Sequence, residues 1–518
     1  MALLRAGVAA EPADLPAELL PASHPAWEDV EALWNRGGLA GLPVFTRPLP
    51  RVDVAAALVA TLEERPDLAR LGAARRLQRE LAFELAELGR PGPFPETRPP
   101  LETVDGAARF RAQGFAHLAA ITKDGKGEIP PGTRGGVAFR AYLPGGGFAL
   151  ADVSLEKIVD TDPIGDAIVK GSDWYLSTED AYLAVRTRPF DVLAGLARNR
   201  WGPGGSGTLL LSDAALSYPS LELARTFGTR ARAVALVGSL NDASGAASDP
   251  ALPAPRLWFA AHRVDLALGS RLHLGLHEAA AYRADGIELL YAVGVVPYTL
   301  VQRLLDRTAA TGGGNATQRN NVMTGIDFAW RAGGGVRLDG ELLIDDLATE
   351  SSTQPDRLGY QGGLSWAGTL AGAGADARIE FAKVYRYTYA VFYGADFIQD
   401  RAPLGYGLGP DVEHAEAWAE RDFGMNARAG FGCELTRKGE GFPGEAWIPM
   451  TGGSRESAAT LSGVVERQVF PHLRLRGAWR DVAELRVQAG VLDVANLGHR
   501  EGDDETSFSV RAEARVEW

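Results

Sequence analysis

The chain has 518 residues, with 53 Lys and Arg against 66 Asp and Glu, 62 Gly, 30 Pro and a single cysteine, Cys433. A formal net charge of -13 removes the basic stripe a nucleic-acid binder needs, and one cysteine removes a disulfide framework and a Cys-rich zinc site. No apolar run reaches the roughly 18–20 residues of a membrane-spanning helix; the longest candidate, Val52–Leu62, is rich in Ala and is interrupted near its start by Asp53.

Residues 1–23 read as a tail. Within it Val8-Ala9-Ala10 before Glu11 resembles a small-residue cleavage site, so the segment is the stub of a signal sequence or an ordinary N-terminus. Helical periodicity follows. Trp27, Val30, Leu33 and Trp34 share one face of a helix that Gly37–Gly38 stops. Asp53 is placed to cap a second helix running through Leu62, and Asp67 a third with the stripe Leu77, Leu81, Leu85 and Leu88. The Pro-rich stretch Pro91 to Pro100 then serves as a linker. Residues 24–100 thus form a small helical module.

From about residue 107 to the end the period changes to two, and residues 101–518 read as a second domain. Thr324, Ile326, Phe328 and Trp330 alternate with Gly325, Asp327, Ala329 and Arg331. After the turn Ala332–Gly335, Val336, Leu338, Leu342 and Ile344 alternate with charged neighbours. A second hairpin turns at Gly269–Ser270, and the C-terminus alternates from Phe508 to Trp518. Glycines cluster at intervals, as turns between many strands would have them. A soluble sandwich alternates as well. Strands of about 9–11 residues, aromatics near strand ends and densely charged inward faces favour a transmembrane antiparallel barrel with a wet lumen. About 410 residues at some 20–25 per strand and loop give roughly 16–18 strands.

Catalytic patterns fail. Gly204-Gly205-Ser206-Gly207 lacks the closing glycine of a nucleophile elbow, since Thr208 stands there. No Gly-Lys-Ser/Thr closes that run as a phosphate loop, and the Gly405–Asp411 run has no strand–helix context for a dinucleotide. His273 and His277 share a strand face, but no third metal ligand has diagnostic spacing. Asp345 and Asp346 read as rim acids at a strand end. The sequence therefore points to no enzyme, no cofactor and no metal; a hydrolase assembled from distant barrel residues is the alternative.

Several stretches together resemble the Wzi-type capsule-assembly family of outer-membrane proteins. They are Trp201-Gly202-Pro203-Gly204 with Leu209–Ala214; His262-Arg263 with Leu274–Glu278; Leu343-Ile344-Asp345-Asp346; and Tyr387-Thr388-Tyr389 followed by Pro403–Asp411, which holds Gly405, Gly409, Pro410 and Asp411. His24-Pro25 and Arg47-Pro48 in the helical module are also similar. Asp213-Ala214 departs from the family's usual Asn pair, and Tyr406 stands where His is common. The resemblance implies a bacterial outer-membrane barrel closed at its periplasmic side by helices. Its implied role is lectin-like anchoring or organising of surface polysaccharide, with outer-membrane lipid or lipopolysaccharide, surface polysaccharide and polysaccharide export machinery as partners. A porin-like channel or exporter component is the competing reading.

Counting from a periplasmic C-terminus, Asn241–Pro255, Arg303–Asn321, Asp345–Gly359, Asp396–Arg421 and Arg437–Ser457 face outward. Among them Trp418, Trp447, Arg401 and Arg421 combine the stacking surface and charge a sugar acid needs. The same loops would also serve simply to seal the barrel mouth.

Overall fold

The structure is a computed structural model that describes residues 15–96, 101–158, 172–187, 189–241, 256–311, 320–347, 354–391, 394–400, 402–448, 458–479 and 482–518. Arg401 and most of Asn241–Pro255 lie outside those residues.

The described strands of the wall are β1 (Ala108–Lys123), β2 (Arg134–Leu143), β3 (Gly147–Lys157), β4 (Ala181–Arg186), β5 (Asp191–Ala197) and β6 (Tyr218–Phe227). They continue as β7 (Ala231–Leu240), β8 (Leu257–Leu268), β9 (Leu272–Arg283), β10 (Asn320–Gly333), β11 (Val336–Asp346) and β12 (Arg357–Leu370). The circuit ends with β13 (Ala373–Val384), β14 (Val412–Asp422), β15 (Ala427–Lys438), β16 (Glu466–Trp479), β17 (Ala483–Ala495) and β18 (Glu505–Glu517). Each pairs antiparallel with its neighbours, and β18 returns to β1 through Ser509↔Lys123 to Glu517↔Phe115. Among the described residues this is a closed barrel of 18 strands, the upper end of the expected range. Closure leaves no unpaired edge in a medium without water to satisfy it.

The even strand number puts both sheet ends on one side. Tight turns such as Gly269–Ser270 and Gly333–Gly335 lie at that turn end with Trp518; the long connections lie at the opposite, loop end. Alternation decides which solvent each side chain meets. On β10, Ile326 and Trp330 are exposed on the outer wall while Asp327 and Arg331 are buried inside. The charged inner faces are present, but the lumen around them is packed rather than wet: Arg263, Arg337, Asp339 and Glu341 are all buried.

The N-terminal module fills the lumen from the turn end. It comprises α1 (Ala26–Asn35), α2 (Arg51–Glu64), α3 (Gly72–Glu80) and α4 (Ala82–Glu87), with a 3-10 turn at Pro66–Arg70. Trp27, Leu33, Val54, Leu58, Leu77 and Leu81 form its core. Two expected caps are corrected. Helix α2 begins at Arg51 behind Pro50, so Asp53 lies inside its first turn, and its carboxylate accepts from Arg186 of the wall at 2.8 and 3.0 Å. Asp67 sits in the 3-10 turn and binds Arg65. The Leu stripe also breaks at Leu81 into two helices. In both cases the acid has a stronger, charged partner than the orphan amides of a helix start.

Candidate functional site

Two long connections from the loop end fold down into the lumen and meet the module there. The first, residues 198–217 between β5 and β6, carries the Trp-Gly-Pro-Gly run. Arg200 and Trp201 pair as a short strand with Arg47 and Thr46 of the module, and Gly202 N donates to Phe45 O at 2.9 Å. Trp201 is fully buried. Gly202 has φ +136, and a Cβ there would stand 2.7 Å from Glu341 Oε2, so glycine is required on both counts. At Gly204 a Cβ would meet the Gly207 carbonyl at 2.0 Å.

The second connection, residues 385–411 between β13 and β14, locks onto the first. Tyr389 Oη donates to Leu209 O at 2.7 Å and accepts from Tyr406 N at 3.1 Å. Ser212 N donates to Leu404 O at 2.6 Å. Ser206, read above as a failed nucleophile, has its hydroxyl held by Glu380 and Tyr406 rather than by a histidine base.

Ion pairs link these loops to the wall and the module. Glu31 of α1 binds Arg47 and accepts from Arg337 Nη1 at 2.7 Å. Arg337 donates to Asp339 at 2.7 Å, and Asp339 accepts from Arg378 at 2.8 and 3.0 Å. Arg378 pairs with Glu380, whose oxygens accept Gly205 N at 2.7 Å and Ser206 N at 2.8 Å. Glu341 takes Leu209 N at 2.9 Å and Gln361 Nε2 at 2.6 Å. The chain of partners is unbroken from helix to loop. Burial would push the Glu31 carboxyl up, but Arg337 and Arg47 outweigh it and hold the group down at about 2. Buried charges of this density persist only when each is paired.

The family-motif positions belong to this plug. Besides Trp201, Gly202, Pro203 and Gly204, Asp345 accepts Tyr389 N at 2.7 Å, and Asp346 pairs with Arg357 at 2.7 Å. Both acids do stand at a strand end, yet Asp345 is buried and tied to the loop rather than solvated. Asp411, at φ +59, accepts Gly441 N at 2.9 Å and Ser462 N at 3.2 Å. Leu408 and Pro410 carbonyls accept Lys438 Nζ, while Gly405 and Gly409 give the turn its close packing and its φ of +75. Asp213, the departure from the family pattern, pairs with Arg200 at 3.0 Å. His277 is engaged by Arg263 and Asp327, and His273 packs edge-on against Trp34.

Of the four residues expected to bind sugar, Arg401 lies outside the described residues, and the other three, Trp418, Arg421 and Trp447, do not share a surface. The segment Asp396–Arg421 is not all loop, because β14 begins at Val412. Trp418 therefore lies on the wall facing the lumen, under the Arg474 guanidinium at 5.1 Å. Arg421 is at the opposite end of the barrel, where its Nε donates to Leu370 O of a tight turn at 3.0 Å. Of the three described residues, Trp447 is at the loop end. It is flanked by exposed Phe442 and Ile448, 59% and 70% accessible, and by the Arg386–Glu445 pair. Arg437, half exposed, stands at the end of β15 nearby. The plug residues Glu31, Thr46, Arg378 and Glu380 were not singled out from sequence; inward alternation marks the last two as lumenal, but nothing in the sequence brings Glu31 to them.

Beside the plug, a cavity of about 750 Å³ runs between the module and strands β1–β4 and β17–β18. Its lining reaches from Ala478 and Val482 at the turn end to Gly132 and Ile158 at the loop end. The arginines along it are paired, Arg134 with Asp152 and Arg140 with Glu18.

The sequence profile of the capsule assembly protein Wzi family matches residues 115–506. The chain belongs to that family. No curated protein sequence matches it. Among solved structures it is similar to Wzi of Escherichia coli, an outer membrane protein involved in group 1 capsule assembly and described as a carbohydrate-binding β-barrel. That likeness has a TM-score of 0.58 and 17% identity, and it covers 96% of this chain and 99% of that one. It also aligns with OprD of Pseudomonas aeruginosa (TM-score 0.42, 10% identity, 79% of this chain and 95% of that one) and OccAB1 of Acinetobacter baumannii (0.43, 11%, 80% and 97%). Those two likenesses are too slight to argue from. Family and closed barrel together make this an outer-membrane protein. Short turns in such barrels face the periplasm, so the module enters the lumen from the periplasmic side and the long loops lie at the cell surface.

Proposed function

We propose that the protein binds and organises surface polysaccharide at the loop end of the barrel, without catalysis. The observation that carries this reading is the rim patch of Phe442, Trp447 and Ile448 with the Arg386–Glu445 pair, and Arg437 at the same end of the barrel, held above a lumen that the plug fills in part. Exposed ring and aliphatic faces stack on sugar C–H surfaces, and guanidinium groups pair with sugar acids. The family's name and the carbohydrate-binding description of the E. coli protein support the same reading. Lipopolysaccharide and polysaccharide export machinery are the partners such a rim would meet at the outer face.

The test is binding of detergent-solubilised full-length protein to acidic capsular polysaccharide. Phe442→Ala, Trp447→Ala and Ile448→Ala combined should weaken it at least tenfold while heat-modifiable migration stays intact. Undiminished binding would move the site off this loop. Activity screens against ester, peptide and glycosidic bonds should stay at background.

The cavity beside the plug supports a second reading, a narrow solute passage. Planar-bilayer conductance of the intact chain separates the two, because a packed rim-binding barrel stays closed while a passage conducts steadily.

A further inference from the structure

The described part of the connection between β9 and β10, residues 284–311, does not rise above the barrel. It folds outward and back down over the outer wall. Helix α5 (Leu289–Ala292) and helix α6 (Tyr298–Thr311) pack on the outward faces of β7–β10. The register fixes that face: Ala235, His262, Glu278 and Thr324 are consecutive cross-strand partners. They share it with Val264, Leu276 and Ile326, which are exposed on the barrel's apolar exterior. Inward residues of the same strands, such as Arg263 and His277, are buried in the lumen.

His262 is five residues inside the loop end of β8, roughly 17 Å along a strand that rises about 3.3 Å per residue. With barrel strands tilted by about 35–45°, that path is about 12–14 Å of depth below the strand's loop end, beside the exposed apolar Val264 and Leu276 of the lipid-facing belt. A His–Glu pair does not belong on a lipid-facing wall at this level. The segment covers it. Gly294, at φ +62, sits so close that a Cβ would meet Ala235 Cβ at 2.8 Å and His262 Cβ at 3.3 Å. Glu278 binds His262 at 3.2 Å, accepts Tyr298 N at 2.6 Å and takes Thr324 Oγ1 at 3.3 Å. The Tyr298 ring lies 4.3 Å from the His262 ring, and its hydroxyl donates to Tyr291 O at 2.9 Å. Tyr282 stacks on Tyr291, and Trp258 Nε1 donates to Ala284 O at 3.2 Å. These polar contacts of the described residues point toward the wall.

The other side of the segment is mainly aliphatic, with Thr299 and Arg303 as exposed polar residues beside Leu300 and Leu304. Leu289 and Val295 are 72% and 79% accessible, and Val293, Leu300 and Leu304 are also exposed. The patch continues the exterior belt of Val264, Leu276 and Ile326. In water a run of that kind is a liability; against hydrocarbon it is what the wall itself presents.

We propose that the α5–α6 segment is a membrane-embedded strap, with Leu289, Val293, Val295, Leu300 and Leu304 against outer-leaflet acyl chains and the His262–Glu278 pair sealed beneath. The strap lets the wall keep a polar lock at bilayer depth by placing an amphipathic segment between it and the lipid.

Cys433 provides an internal reference, since it is exposed on the outward face of β15 and flanked there by exposed Phe431 and Leu435. In a Cys433→Ser background, single substitutions Leu289→Cys, Val293→Cys and Leu300→Cys are spin-labelled on the full chain in phospholipid vesicles. Gly498→Cys, in the loop before β18, gives the aqueous reference. The strap positions should match Cys433, with collision rates higher for oxygen than for a water-soluble nickel chelate. Nickel accessibility equal to that at Gly498→Cys would overturn the proposal. Labels shielded from both agents and broadened by a second label would also overturn it, in favour of a second copy of the chain on this face. All substituted positions are exposed, and heat-modifiable migration confirms that each variant forms the barrel.

Discussion

The two halves of the lumen are equally charged and differently filled. Around β10–β13, Arg337, Asp339, Arg378 and Glu380 are bridged to α1 and to the 198–217 loop, and backbone occupies the space between them. Around β1–β4, Arg134, Asp152, Arg140 and Glu18 make comparable pairs, yet a cavity of about 750 Å³ remains alongside. Inward charge alone therefore does not decide between plug and passage. What decides is whether a chain segment with close-packing glycines, such as Gly202 and Gly204, can enter and offer its own amides to the carboxylates.

The largest expected effect breaks the filled half outright. Removing residues 15–96 takes away Thr46, Phe45 and Glu31, the anchors of the inner loops, and a barrel of this strand number is wide enough for an aqueous channel. Single-channel conductance should rise by at least an order of magnitude over the intact chain. Next, Arg337→Met leaves Glu31 and Asp339 without their shared partner; removing one member of a buried network costs about 3–5 kcal/mol. Denaturant titration of the heat-modifiable form should show that loss, whereas Arg140→Met beside the cavity should cost less.

Trp34→Ala tests the joint between module and wall. Its buried ring meets Phe45 and His273 edge-on and lies under Arg331, so truncation should cost about 3–5 kcal/mol of docking. Protease nicking of the module then accelerates while the barrel stays resistant.

The pH dependence is smaller and has a fixed sign. The Glu31 carboxyl is held at about 2 in the folded chain, below the ordinary carboxylate value. Its stabilisation is therefore fully present above about pH 4.5 and is lost as pH falls towards 2. Module docking, read by Trp fluorescence, should weaken over that window, and Glu31→Gln should flatten the profile. The smallest effect sharpens the open half: Ala138→Trp adds bulk to the cavity lining and should at least halve residual conductance with little change in stability.

The sequence by itself determined the barrel. Period-two alternation from about residue 107 onward separated Ile326 and Trp330 from Asp327 and Arg331, and the structure places those sets on opposite sides of the wall. It also determined the first helix, because Trp27, Val30, Leu33 and Trp34 define a face without any outside partner. Periodicity is a local property of the chain and can be read locally. The roles of side chains at the ends of elements were decided by tertiary structure alone. Asp53 abandons its cap for Arg186, Trp418 turns from loop to lumen, and Arg421 appears at the opposite end of the barrel from Trp447. The glycine-rich run at Trp201–Gly204 becomes part of the plug for the same reason. A charged group takes the strongest partner within reach, and closing an 18-stranded sheet brings within reach residues hundreds of positions apart.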